Sequence, residues 1–521
     1  MGLTSENPPP KIASWIERGI IGCIILISLF APHSIAVTQS AWLLGMALWL
    51  LRFAFYPRPT LFRSPIDYAM LGFFVLSGIS GVFSYNPIMS IGKMRAASLF
   101  TIVYLVSQNV GTVKLVRALA YLLITSCMAN VALTAYQLAR GRGVKVQGVR
   151  PDSPLTKAIF HTRTVTQATP IKDGDIIWEV DGKPVSSPEQ IAIALASGPP
   201  KALVRIYRVE WVPVLEVPRA QLLNGSSALE QLGIQAWSRG RDWRATGFYG
   251  IWITYAEVLQ LIASLALGLF LGLSKKKSQT ALLLLIAIAG MIFALAMTVT
   301  RASWIGLAIS VALMLLLTTS RKTVLIVCAC AIPLIIASVF LLKEKRSVGF
   351  LDRSDQSTSW RQMVWREGFD LLISKPRHLL VGVGQDSIKT YWREWGLFDN
   401  GRQPVGHMHS NLLQLALERG IPALLAWLVL IGLYARMLWQ LQRRSTDDFQ
   451  RGLALGALGG LAGFFSSGLV HYNWGDSEVV TVLYFIMGLS LVIERLEKGY
   501  PPITQTTPIF SSKDPGSKPA F

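Results

Sequence analysis

The stretch GHMHSNLLQLALERG, residues 406–420, sets His407 and His409 where a polar segment gives way to a long apolar one. The chain has only 6 histidines, so a pair at such a junction is a concentration of chemistry. Imidazole changes charge near neutrality and serves as general base or as metal ligand. A zinc site is the weaker reading, because a helix would point residues two apart in different directions and no further ligands are identifiable. Glu418 sits inside the apolar run that follows. Arginines form the second group. Arg301, in ALAMTVTRASWIGLAIS, divides two hydrophobic segments. An arginine near a helix centre costs about 2.5–3.5 kcal/mol on insertion scales, which favours function over a snorkelling surface residue. Arg244 in RDWRATGFYG opens the apolar run at 247–273 and Arg361 in TSWRQMVWREGF lies in the polar stretch 343–410, and each alone would be an ordinary surface arginine. Glu257, within another apolar run, reads as a partner for a neighbouring helix.

The elements that must position these residues are membrane helices. The chain is 52% hydrophobic and 15% charged, with a mean hydropathy of +0.44, beyond the range of soluble domains. Apolar runs of spanning length predict an all-α polytopic fold with about twelve transmembrane helices. They are expected at 15–36, 38–55, 66–84, 95–110, 114–138, 247–273, 279–299, 302–319, 323–342, 411–440, 452–471 and 477–495. The first run lacks a small-residue cleavage site and reads as a retained helix. Cys23, Cys127, Cys328 and Cys330 all lie in apolar runs and read as small core residues.

Short cationic loops fix the expected orientation. Arg52, Arg58 and Arg63, Lys114 and Arg117, SKKKSQ, Arg321 and Lys322, and RMLWQLQRRS all fall on one side, which the positive-inside rule makes cytoplasmic. Lys93 and Arg95 are the one local conflict. Both termini are then cytoplasmic, and residues 139–246 and 343–410 are external. The expected division is 1–138 (helices one to five), 139–246 (a periplasmic insert), 247–342 (helices six to nine), 343–410 (a large periplasmic loop), 411–496 (helices ten to twelve) and 497–521 (a disordered cytoplasmic tail). The net charge of +20 suggests an anionic partner on the outer face. Nucleic acid is excluded, because no soluble domain carries a stripe of basic and aromatic residues.

Residues 143–217 predict a small α+β domain. GVKVQGVRPDSPL gives a strand and turn, PIKDGDIIWEVDGKPVSS a strand between Gly-Asp and Asp-Gly turns, PEQIAIALASG a helix, and ALVRIYRVE a last strand. The pieces PDSP, DGDII and VDGKPV resemble a bacterial PDZ domain, with HTRTVTQATP longer than that family's usual link. The resemblance implies an extended peptide or protein partner added at a sheet edge. A PDZ domain beside membrane helices also suggests an intramembrane metalloprotease, but the required H-E-x-x-H is absent from the sequence.

Taken in order, RATGFYG, TRASW, WRQMVW followed by VGVG, and HSNLLQLALERGIPALL resemble the bacterial O-antigen ligase and Wzy-type polymerase superfamily. His409, Leu413, Glu418 and Gly420 carry its histidine motif, whereas Ser410 stands where many members have asparagine and Asn411 follows one later. The resemblance implies glycosyl transfer on the periplasmic face of a bacterial inner membrane, from a glycan on undecaprenyl diphosphate to a sugar hydroxyl on a lipid A core or another glycan. It implies His409 as base, with His407, Asn411 and Glu418 in support. Arg244, Arg301 and Arg361 would neutralise the leaving diphosphate, since guanidinium forks match phosphate oxygens. No metal or other cofactor is called for, and attack opposite the diphosphate would invert the anomeric centre. A polymerase shares the motif and differs in acceptor. A small-anion (bicarbonate) transporter is the third reading, ranked last because neither internal repeats nor paired Gly/Pro interruptions are present.

Overall fold

The structure is a computed structural model that describes residues 11–54, 63–161, 166–208, 211–219, 221–318, 356–402 and 405–500. Among these residues, nine helices are long and apolar enough to cross a membrane, which makes the protein a polytopic helical one. Besides 411–440, three of the expected spans differ in form. The first, at 66–84, is the shorter apolar helix Asp67–Val82. The run at 95–110 belongs to a longer element, in which helix Pro87–Ala97 passes through a 3-10 turn at Ser98–Phe100 into helix Thr101–Asn109. The run at 452–471 is helix Asp448–Ser467, whose glycines lower its hydropathy. The expected span 323–342 and the tail beyond residue 500 lie outside the described residues, as do Cys328 and Cys330. Cys23 and Cys127 are buried thiols, as core residues should be.

Two helices make the centre of the bundle, Trp252–Gly272 and Ser477–Glu497, both buried along nearly their whole length. Close approach explains how Asp448–Ser467 packs against the first of these. A Cβ at Gly272 would lie 2.6 Å from the Cα of Gly452, and one at Gly268 would overlap the backbone of Gly456. Glycines spaced by four on both helices let the backbones touch, which is how helices associate where lipid removes the hydrophobic drive.

The expected single helix 411–440 is two. Asn411–Arg419 ends at Gly420, with φ of 84°, and Ile421–Arg444 begins with Pro422 in its first turn. Glycine reaches that backbone conformation at little cost, and proline at a helix start gives up no hydrogen bond. Any side chain at Gly420 would strike the carbonyl of Leu380. The stretch expected as a loop at 343–410 contains, where described, the helices Gln356–Ile373, Pro376–Val381 and Ser387–Tyr391, and a left-handed turn at Phe398–Asn400. Its own core includes Val364, Val383, Phe398 and Met408.

The insert folds as an antiparallel sheet of β1 (Val144–Val149), β2 (Ile159–His161), β3 (Thr166–Ala168), β4 (Ile176–Val180), β5 (Lys183–Pro184), β6 (Lys201–Tyr207), β7 (Val214–Pro218) and β8 (Ile234–Arg239). The order is β3-β2-β7-β6-β4-β1-β8, with β5 on β4, and helix Pro188–Ala196 packs on it. The sheet runs past the expected boundary at 217, because β8 pairs with β1 from Val144↔Arg239 to Val149↔Ile234. One side of it joins the bundle: Trp178 stacks on Tyr207 at 5.2 Å and meets Trp243 edge-on at 6.5 Å.

Candidate active site

The histidine motif folds as a clamped loop, and Met408 is its anchor. Met408 is fully buried, its N–H donates to Gln414 Oε1 at 2.7 Å, and its carbonyl accepts from Trp365 Nε1 at 2.7 Å. With the middle residue fixed on both sides, His407 and His409 come together instead of diverging, their ring centroids 3.9 Å apart. His409 takes a φ of 47°, unusual for a residue with a side chain, and its N–H donates to His407 Nδ1 at 3.1 Å. Trp360 packs edge-on against the His409 ring at 4.6 Å, and His409 Nδ1 is buried without a hydrogen-bond partner among the described residues.

Both rings line a cavity of about 500 Å³ between helices Trp252–Gly272, Asn411–Arg419 and the start of Ser477–Glu497. Burial, then the neighbouring His407, Arg361 and His471, push the His409 imidazole down to about 2. Burial first, and then Lys389, His471 and Arg361, hold His407 at about 4. Both rings thus favour the neutral form, because the surroundings are desolvated and already cationic.

The supporting residues do positional work. Glu418 is buried, and its Oε1 accepts the Asp386 N–H at 2.9 Å while its carbonyl accepts from Ser80 Oγ at 2.8 Å. Burial raises its pKa. Asn411 does not partner His409. Its Nδ2 donates to Asn473 Oδ1 at 2.6 Å and its Oδ1 accepts the Trp474 N–H at 3.1 Å, tying the motif to the turn before the last helix. Lys93, the conflict in the charge pattern, is 2.6 Å from Asp386 at the cavity.

The three expected arginines group together, but at the edge of this arrangement. Arg244 is buried and donates through Nε to the Thr298 carbonyl at 2.7 Å and through Nη2 to the Val299 carbonyl at 2.9 Å. Its guanidinium also lies over the Trp252 ring at 4.7 Å. Burial pulls it down to about 9, with the charges of Arg301 and Arg361 acting in the same direction. Arg361 acts in turn on His409, so the arginine group and the histidine loop are neighbours. None of the three lines the cavity itself, whereas Arg419, not anticipated from sequence, does. Arg419 is 7% exposed, its Nη2 donates to Gln385 Oε1 at 3.1 Å, and its guanidinium lies over Phe73 at 5.2 Å.

Sequence reasoning also passed over His471 and undervalued Glu257. Both are buried and both line the cavity, with His471 Nδ1 2.9 Å from Glu257 Oε1. His471 falls at the end of an apolar run, and only the bundle brings it to Glu257. No cluster of three or more metal-ligating side chains occurs among the described residues.

Residues 282–428 match the family model described as O-Antigen ligase. Separately, a 99-residue stretch, 19% of the chain, is 34% identical to the magnetosome formation protease MamE of Magnetospirillum gryphiswaldense and covers 11% of that protein. The chain thus spans about a tenth of this curated relative, a local likeness only. The ligase match takes in Arg301, Arg361 and the whole histidine loop, so this part of the polytopic helical bundle is similar to O-antigen ligases.

Proposed function

We propose that the protein transfers a glycan from undecaprenyl diphosphate to a sugar hydroxyl on the periplasmic face of a bacterial inner membrane, as an O-antigen ligase. The observation that carries this reading is the cavity that brings His407, His409 and His471 together at the end of the bundle beside three arginines. A diphosphate leaving group needs positive charge, and Arg301 and Arg361 supply it, with Arg244 fixing the turn from which Arg301 starts. His409 occupies the base position of the motif, and its ring lines the cavity in which the attacking hydroxyl would be aligned. The hydroxyl oxygen attacks the anomeric carbon opposite the diphosphate, so configuration inverts. The sheet of the insert, PDZ-like in its turns, offers β3 and β8 as edges at which an extended peptide adds.

A glycolipid profile of a strain lacking the protein tests the proposal. Loss of glycan attached to lipid A core, with long lipid-linked chains accumulating, is the expected result. Accumulation of single lipid-linked repeat units would make the protein a polymerase, and an unchanged profile would overturn glycosyl transfer.

A further inference from the structure

Transfer to a hydroxyl releases a proton, and the motif histidine is a poor place for it to rest. Among the described residues no carboxylate pairs with His409, and His407, Arg361 and His471 are its electrostatic neighbours. A second imidazole of the same cavity has the opposite surroundings. His471 is buried, lines the cavity, and presents Nδ1 to Glu257 Oε1 at 2.9 Å. Glu257 is itself held on all sides: Ser303 Oγ donates to Oε1 at 3.2 Å, and Ser467 Oγ and Asn473 Nδ2 donate to Oε2 at 2.7 and 3.2 Å. A carboxylate offers about four acceptor sites, and with His471 all are taken, so it cannot turn away from the ring. Because the carboxylate only accepts, His471 carries its proton on Nδ1 and keeps a lone pair on Nε2, to which no protein hydrogen bond runs among the described residues.

Resting on the glycosyl-transfer reading, we infer that His471, oriented by Glu257, receives the proton that the acceptor hydroxyl loses, while His409 aligns that hydroxyl. The balance is complete within the site. The acceptor O–H bond breaks as its oxygen forms the bond to the anomeric carbon. The bond from that carbon to the phosphate oxygen breaks, its electron pair leaving with the diphosphate. The proton goes to Nε2, and the imidazolium is stabilised by the adjacent carboxylate, the logic by which a third group orients and supports a catalytic histidine. A histidine that only bridged two helices would need neither a lone pair at the cavity nor so fully fixed a partner.

The test uses the full-length protein in lipid with a lipid-diphosphate-linked donor and a sugar acceptor. His471→Gln is expected to lower kcat by roughly 10²–10⁴-fold with little change in donor KM. Glu257→Gln, which removes the charge but keeps the shape, is expected to lower it by about 10²-fold or more. Added imidazole is expected to restore part of the activity of His471→Gln. Wild-type kcat in His471→Gln, or a loss that tracks a fall in Tm with no imidazole rescue, overturns the inference. If the wild type transfers nothing from any such donor, the glycosyl-transfer reading falls instead, and carbethoxylation decides the dyad separately. A His471 modified at a rate that Glu257→Gln lowers keeps its basic character, and an unreactive His471 removes it.

Discussion

Arg244 Nη2 donates to the carbonyl of Val299 at 2.9 Å, and Val299 is a β-branched residue held at a φ of 52°. Valine avoids that region, so the turn between helices Gln279–Met297 and Arg301–Thr318 persists because something overdetermines it. The same guanidinium takes the Thr298 carbonyl and the Thr300 hydroxyl, and all of these atoms are buried. Arg244→Met keeps the length and removes the donors. Leaving buried carbonyls unpaired costs about 1–3 kcal/mol each, so a marked drop in Tm is expected. Adding Val299→Gly should recover part of it, since glycine tolerates the turn without strain. Arg244→Met with a wild-type Tm would show that the turn holds itself.

The two buried histidines make stability depend on pH with a definite sign. Their folded-state pKa values, about 4 for His407 and about 2 for His409, lie below the ordinary 6.5. The unfolded chain therefore binds protons that the folded chain does not. Stability is fully present above about pH 6.5 and declines as pH falls from there toward 4. Thermal unfolding of the wild type between about pH 7 and 4.5 should show this decline, and the double variant His407→Gln, His409→Gln should flatten it. Parallel curves for the two proteins would mean that the rings are not desolvated.

How far the sequence carried these conclusions depends on whether a feature is local. The histidine loop was legible because His409, Glu418 and Gly420 keep fixed spacing in one segment. The break at Gly420 had a local signal too, Gly-Ile-Pro, outweighed by the unbroken hydropathy around it. The dyad had none, since Glu257 and His471 stand 214 residues apart and each reads alone as a polar residue inside an apolar run. The arginines were found by type, but the commitment of Arg244 to backbone carbonyls depends on a left-handed turn that no pattern of side chains announces.

The glycine rows that join helices Trp252–Gly272 and Asp448–Ser467 give a packing prediction. A Cβ at Gly456 would lie 2.8 Å from both Leu265 Cα and the Leu265 carbonyl oxygen, backbone atoms that cannot move aside. Gly456→Ala should therefore cost about 1–3 kcal/mol through overpacking, read as a lower Tm in detergent. Gly72, in helix Asp67–Val82, has nothing within 4 Å of such a Cβ, and Gly72→Ala should leave Tm unchanged or slightly higher. The two helices carry Glu257 and Ser467, so Gly456→Leu should also disturb the dyad and lower turnover. A Gly456→Ala protein as stable as the parent would show that this interface yields.

The insert offers the last prediction. Arg142 lies over the Trp178 ring at 4.0 Å, Trp178 stacks on Tyr207, and Trp243 is fully buried against them, one residue from Arg244. The sheet is thus continuous, through two aromatic contacts, with the guanidinium that grips Val299. Excising 143–217 would strip β8 of its partner β1 and leave Trp243 without its rings, so the clean excision is 143–239. Trp178→Ala should lower Tm by an amount equivalent to about 3–5 kcal/mol, the usual cost of emptying a buried aromatic site. It should also reduce turnover, because Trp243, next to Arg244 in the chain, loses the ring it packs against. A charge placed on edge strand β3, far along the sheet order from β4, should change neither quantity. If replacing 143–239 by a flexible linker left both Tm and turnover intact, the sheet would be an independent appendage, and its service would lie wholly in what its edges bind.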